Sequence, residues 1–346
     1  MSAQLEFTQG GLGNTVQDPG RAGRRHLGLP ASGWLDPWLA RCANALVGNG
    51  LTAPVLEMRA LGPTVLVTQG SVRLSLAGHV TAQVVRASGV SQPVAPWQAI
   101  TLTPGDALKV GAITSGCAYL ACSGGWQTPL AMGSQSTYAL VGLGGHEGRA
   151  LQTGDVLACP GLANADSPSW QAPAFEHATG PIRLMWGPQD DHFTEDAKHT
   201  LTHTEWQASS AQDRMGLRLS GTALTHASAA AADIISDGIV PGAMQVPANG
   251  QPIVLLADCQ TMGGYPKIAT VISADLPRMA HLPAGRVCRF EAVTPAQAQA
   301  ALIELNQRWQ TWQRSLSAYV EPGWVDTQAM HQGNLISGMV HALQPE

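Results

Sequence analysis

The chain is poor in charge. Asp, Glu, Lys and Arg make up 12% of its 346 residues, about half the usual share. Net charge is −5, with no basic run and no interleaving of basic and aromatic residues, which argues against a nucleic-acid partner. Residues 110–146 and 239–257 hold no Asp, Glu, Lys or Arg. Gly, Pro, Gln, Ser and Thr interrupt both, and their polar groups would need partners in lipid, so no membrane span is expected. The opening MSAQLEFTQGG lacks a basic and an apolar export region. The six cysteines (42, 117, 122, 159, 259 and 288) show no CxxC and no framework spacing. Reduced thiols in the cytoplasm are the expectation. There is no GK[ST] ending of a phosphate loop and no HExxH. A surface with so little charge suits burial against a partner chain, and equally a neutral surface.

What is present is mostly β-prone. Short apolar runs at 64–68, 72–76, 81–85, 99–102, 107–110, 118–121 and 156–159 are punctuated by turn residues, the pattern of a sandwich or barrel. The length predicts two domains. The proline-rich, aperiodic 160–181 region marks the join: a β-rich domain over 1–165, a linker at 166–181, a second β-rich domain with a closing helix over 182–316, and a peripheral tail from 317. The fold class expected is thus mainly β with a few short helices. Asp36 and Pro37 start a helix as N-cap and first residue, with Gly48 closing it. Thr194 caps a second helix, and Thr294-Pro295 with Gln297 opens a third with a capping box.

Candidate chemistry concentrates in QPIVLLADCQTMGGYPKIATVISAD at 251–275. Two apolar runs, 253–257 and 268–272, read as buried strands. Between them lie Asp258, Gln260, Gly263, Gly264, Tyr265 and Lys267. The glycine pair permits positive φ or close backbone approach, and loops on rigid scaffolds are where sites tend to lie. An ordinary turn with a solvated lysine is the plain alternative. Arg21, Arg24, Arg25 and His26 form the densest positive cluster and read as an anion loop or a solvated one. Ser32 precedes the helix capped by Asp36; Asp36 itself reads as a cap. Arg214 and Arg218 could bracket an anion from one strand face, or pair with Asp213 or Glu205. Glu195, His199 and His203 share a helix face without an obvious third metal ligand, so no protein-held metal is expected. GLGGHEG at 142–148 reads as a loop of close backbone approach.

The 258–272 segment resembles the DxQTxGGYPKIATVI signature of the family of 5-oxoprolinase C subunits, also called the biotin-dependent carboxyltransferase or allophanate hydrolase subunit 2 family. Five further blocks follow family order: TVQDPGRAGRRHLGLPASGWLD at 15–36, QSTYALVGLGGHEGRALQTGDVL at 135–157, GPQDDHFTEDA at 187–197, DRMGLRLSG at 213–221 and SDGIVPGAMQVPANGQPIVL at 236–255. The resemblance implies cyclophilin-like β-barrel domains. It also implies ATP-driven opening of 5-oxoproline to glutamate, with 5-oxoprolinase subunits A and B as partners and ATP and Mg²⁺ shared with them. Activating the lactam by phosphorylation demands charge stabilisation and a positioned attacking oxygen. On that reading Lys267 is the electrostatic clamp, Asp258 a base or Mg²⁺ ligand, and Gln260 and Tyr265 hydrogen-bond the lactam. Gly263, Gly264, Ser32, Arg214 and Arg218 bind substrate or phosphate. Two other activities fit the resemblance: carboxyl transfer in a urea carboxylase-like biotin system, and non-enzymatic inhibition of a sensor kinase. AMQV at 243–246 and EMRA at 57–60 lack the lysine of a biotin carrier, so no covalently attached biotin is expected.

Overall fold

The computed structural model describes residues 2–162 and 169–319. Its first half is built from two antiparallel sheets. The six-stranded one runs in the order Val156–Pro160, Ser2–Gln9, Thr64–Gln69, Ala107–Ile113, Val80–Val85, Ser91–Val94. The five-stranded one runs Thr15–Gln17, Val55–Met58, Ala118–Cys122, Val72–Ala77, Ala99–Leu102. Leu5 and Phe7 alternate inward along the first strand and meet Val65, Leu74, Leu120 and Trp126 in a dry core. Period-2 alternation puts them on one face.

The second half is one eight-stranded sheet, ordered Val287–Cys288, Trp206–Gln212, Gly216–Ser220, Ile253–Leu255, Ala243–Gln245, Lys267–Val271, Ile182–Trp186, Phe290–Ala292. Only its last pair is parallel. The two edge strands are separated in sequence by Arg289 alone, so the sheet curls until its ends almost meet. The molecule is therefore mainly β, with barrel-like sheets.

Helix α1 (Pro37–Leu46) carries the expected cap: Asp36 Oδ1 accepts from the amides of Trp38 and Leu39. Its buried face joins a core shared by both halves, in which Trp38, Trp97 and Tyr119 meet Leu184, Trp206, Val254, Ile268, Trp309 and Trp312. Helix α2 (Glu195–His203) is capped by Thr194 and α3 spans Leu276–Ala280. Helix α4 (Pro295–Arg314) has the reciprocal Thr294–Gln297 capping box.

Of the expected linker, 166–168 lie outside the described residues. The rest is tied down. Ser169–Gln171 pairs with Ser317–Tyr319, and Phe175 is buried and stacked on Trp38. Residues 172–180 thus form a largely exposed strap anchored by Phe175, which packs against Trp38 and Trp312. The tail beyond Tyr319 lies outside the described residues. Among the described residues no helix is long and apolar enough to cross a membrane.

Candidate functional site at the seam

The strands Ile253–Leu255 and Lys267–Val271 do not pair with each other. Both flank Ala243–Gln245, and the chain between them arches over that central strand. The arch contains a two-residue strand, Met262–Gly263, paired with Asp237–Gly238. Lys267, at the foot of the arch, keeps its side chain only 4% exposed and places Nζ 2.7 Å from Asp237 Oδ2. Asp237 is open to solvent, 53% exposed. The ammonium, a backbone amide and the Gln189 amide together hold its carboxyl below the usual range. Gln189 also accepts from the Lys267 amide at 3.2 Å. Gly187 lets this happen: a Cβ there would lie 2.1 Å from the Lys267 carbonyl oxygen.

Gln245 is buried beneath the arch, donating to the Tyr265 carbonyl and accepting from Gln260 Nε2, each at 3.4 Å. Tyr265 turns outward, 42% exposed. The glycine pair does not use the left-handed region that its sequence permits; neither glycine has positive φ. Gly263 sits close against its neighbours: a Cβ would lie 2.6 Å from Ile239 Cδ1 and 2.7 Å from Gln245 Nε2, side-chain ends that would have to move. A Cβ on Gly264 would make only ordinary contacts, the nearest with the Ile234 carbonyl oxygen at 3.4 Å.

Asp258 faces another way. Both its oxygens accept from Arg214, at 2.8 and 3.1 Å. Arg214 also grips Glu57 from the first half and donates to the Gly33 carbonyl at 2.6 Å. Glu57 Oε2 accepts from the Tyr119 hydroxyl at 2.7 Å and the Leu35 amide at 2.8 Å. Burial alone would push the Arg214 guanidinium down, but the two carboxylates more than reverse this and hold it charged. Asp258, read from sequence as a base or Mg²⁺ ligand, thus takes part in a buried ion triad across the seam. Arg214 and Arg218 do not bracket one anion. Arg218 points out of the sheet into an open groove of about 620 Å³ with Gln207, Asn249 and Gln251. Neither Asp213 nor Glu205 pairs with Arg214; Glu205 pairs with Arg289.

The basic loop is also engaged. Arg21 is buried, donating to the Ala131 carbonyl at 3.1 Å and to that of Ser136. Arg25 reaches over the seam to the carbonyls of Ile239 and Gln260, at 2.6 and 3.2 Å. Asp18 clasps the STY block, accepting from Ser134, Ser136 and the Gln135 amide. In the glycine-rich loop, backbone approaches backbone: a Cβ on Gly148 would lie 2.0 Å from the Gly142 carbonyl carbon. Ser32 is buried, held at φ +54°, and its hydroxyl has no partner, as is also true of Arg21 Nη1 and Arg25 Nη1. An orphaned polar group on a strained backbone is a combination found where ligands bind.

A second cluster lies along the seam. Asp36 Oδ2 meets His177 Nε2 at 2.5 Å and His281 Nε2 at 2.8 Å. Burial opposes ionisation of Asp36, but the two imidazoles outweigh it and keep the carboxyl far below its usual range. His281 is opposed by burial too, yet Cys117 and Asp36 hold its imidazole well above the usual value. Asp36 is a helix cap, as read from sequence, and more. His199 and His203 stack on the exposed face of α2, and no third ligand joins them among the described residues.

Residues 27–292 match the model of the carboxyltransferase domain, subdomain A and B. The chain belongs to this carboxyltransferase-domain family. Relatives of this carboxyltransferase-domain protein include the 5-oxoprolinase C subunit of Escherichia coli (strain K12). That protein is 38% identical over 310 residues, covering 87% of this chain and 96% of the relative. The 5-oxoprolinase C subunit of Haemophilus influenzae is 34% identical over 285 residues, 82% and 89% of the two chains. In structure, the chain is similar to the urea amidolyase of K. lactis, with TM-score 0.80 and 27% identity over 89% of this chain. It spans only 20% of that larger protein.

Sequence reasoning missed Asp237, Gln189, Gln245 and Glu57 as individual residues. The first three lie inside blocks that carry the resemblance, so those blocks held the available signal. Nothing local marks Glu57, whose ion-pair partner Arg214 lies 157 positions away.

Proposed function

We propose that this chain is the C subunit of a bacterial 5-oxoprolinase, acting with subunits A and B in the ATP-dependent opening of 5-oxoproline to L-glutamate. The observation that carries the reading is the 38% identity to the E. coli protein across nearly its whole length. Identity to the fungal urea amidolyases and the putative urea carboxylase is 27–30%.

The lactam-binding surface on this reading is the arch over Ala243–Gln245. Lys267 supplies a positive charge fixed by Asp237, with its donor preorganised rather than reoriented during reaction. Gln260 and Tyr265 offer hydrogen bonds to the lactam, with Gln245 supporting Gln260 from below. Ser32 contributes its uncommitted hydroxyl. Asp258 acts through Arg214, keeping the two halves in register. The cations of the seam do not fit a triphosphate cradle. Arg214 is paired with two carboxylates, Arg25 spends one nitrogen on two carbonyls, and Lys267 is paired. We therefore assign ATP and Mg²⁺ to a site held with the partner subunits and derive no step through them.

The test is reconstitution. The chain is mixed with subunits A and B, ATP and 5-oxoproline, and glutamate and ADP are measured together. Equal yields of both that vanish when this chain is omitted support the reading; no glutamate from a verified complex overturns it. A second reading, carboxyl transfer with docked carboxybiotin, is favoured by the likeness to urea amidolyase. It predicts biotin-dependent carboxylation of urea by a complex containing this chain in place of glutamate release.

A further inference from the structure

We propose that Asp36, His177 and His281 form a binding site for one divalent transition-metal ion of the zinc class, where the start of α1, the 172–180 strap and the end of α3 converge. The three ligand atoms lie within 4.8 Å of one another. They come from three separate elements and point at one another rather than at solvent. Cys117 Sγ lies 3.7 Å from the same His281 Nε2, so a sulfur is within reach as a fourth donor. Two imidazoles, a carboxylate and a thiol are the ligand types that zinc-class ions take.

Both imidazoles converge on a single carboxylate oxygen, Asp36 Oδ2. His281 Nε2 faces both Asp36 Oδ2 and Cys117 Sγ, although one N–H serves a single acceptor well. The 2.5 Å separation between His177 Nε2 and Asp36 Oδ2 is below the ordinary N–H···O range of about 2.7–3.2 Å. A bound ion would sit among these atoms and satisfy them together. The carboxylate is already aimed. Its Oδ1 is pinned by the Trp38 and Leu39 amides, and its own amide donates to the Tyr119 hydroxyl at 2.8 Å. Such anchoring of a ligand from behind is what metal sites need.

Bonds of about 2.0–2.2 Å from the ion to nitrogen and oxygen require the ligand atoms to spread by roughly half to one ångström. The imidazoles are each 14% exposed while Asp36 is wholly buried, so the spreading falls to the two rings. In the metal-free form, ring N–H groups occupy the ion's place. Binding must expel those protons, so affinity rises with pH. The ion would tie the first half, the strap and the second half at one point, independently of the Lys267 chemistry.

The test uses the full chain carrying His199→Ala and His203→Ala, which removes the exposed pair on α2. It is stripped with a chelator, then titrated with Zn²⁺ and separately with Co²⁺. The expected result is one equivalent of zinc by elemental analysis after dialysis. Intense visible Co²⁺ bands of a four-coordinate site should accompany it, with a sulfur-to-cobalt band if Cys117 joins. His281→Gln keeps a donor for Asp36 but removes the ligand nitrogen, and should weaken binding about a hundredfold or more. Sub-stoichiometric zinc in the otherwise intact chain, or binding unchanged by His281→Gln, overturns the proposal. If His281→Gln does not fold, the stoichiometry and cobalt spectrum of the parent chain decide alone.

Discussion

Two ionic clusters share the 258–267 arch, and they behave as opposites. Asp258 enters a triad with Arg214 and Glu57 in which the Glu57 side chain is 1% exposed. Lys267 pairs with a carboxylate that is more than half exposed. A carboxylate and a lysine from one short segment therefore do different jobs. The first cluster bridges the two halves; in the second a buried ammonium is paired with a carboxylate that faces solvent. Buried ion pairs contribute little net stability when whole but are costly to break, because the survivor is left unpaired. The Lys267–Asp237 pair is half buried and half open, since its ammonium is 4% exposed and its carboxylate 53% exposed; removing the lysine charge leaves only a solvated carboxylate, which costs little.

The sharpest way to break this contrast is to remove each centre in turn. Arg214→Ala should cost about 3–5 kcal/mol, since two carboxylates would be stranded in the seam. Urea unfolding reads this, and a change below about 1 kcal/mol would show that the triad is not holding the seam. Lys267→Met keeps the buried stem but removes the charge. It should lower turnover of the reconstituted complex at least about a hundredfold, or about 2.7 kcal/mol of barrier, with the urea midpoint little moved. Near-normal turnover would remove Lys267 from the site.

Gly263→Ala should be milder. The atoms its Cβ would meet are the ends of the Ile239, Gln245 and Gln260 side chains, which can shift. A KM raised roughly threefold to tenfold with kcat mostly retained is expected if the arch binds substrate equally in ground and transition states; an unchanged KM would place substrate elsewhere.

The smallest effect concerns acid. Asp155, bound by Arg149 and the Gln152 amide, is lowered to about 2. The unfolded value is about 3.9, so the folded state favours the ionised form. Its contribution is full above the unfolded value and is lost as pH falls through about 4 to 2. Asp155→Asn should flatten the stability profile in that window and leave its slope unchanged near neutrality.

The fold was legible where local signals are strong. The caps at Asp36, Thr194 and Thr294 lie where hydrogen-bonding chemistry puts them. The runs at 64–68, 72–76 and 118–121 appear as strands within a residue. Strands of two or three residues, such as Asp237–Gly238 and Met262–Gly263, are too short for any period and exist through pairing alone. The site was legible as a set of residue types and illegible as a set of partners. Lys267 and Asp258 stand out in sequence, but that one faces Asp237 and the other Arg214 depends on contacts over 30 and 44 positions. The Asp36–His177–His281 cluster spans 245 positions, so no spacing rule could have assembled it.

The single residue between the two edge strands of the eight-stranded sheet has a consequence for solubility. An open sheet edge offers unpaired amides and carbonyls to a neighbouring molecule and invites edge-to-edge aggregation. Here Val287–Cys288 and Phe290–Ala292 are bound to opposite edges by the shortest possible connection. Arg289 stands at that point with its guanidinium paired to Glu205 at 2.8 Å, placing charge where an intruding strand would have to dock. A chain sparing with charge elsewhere thus keeps some at its most adhesive margin.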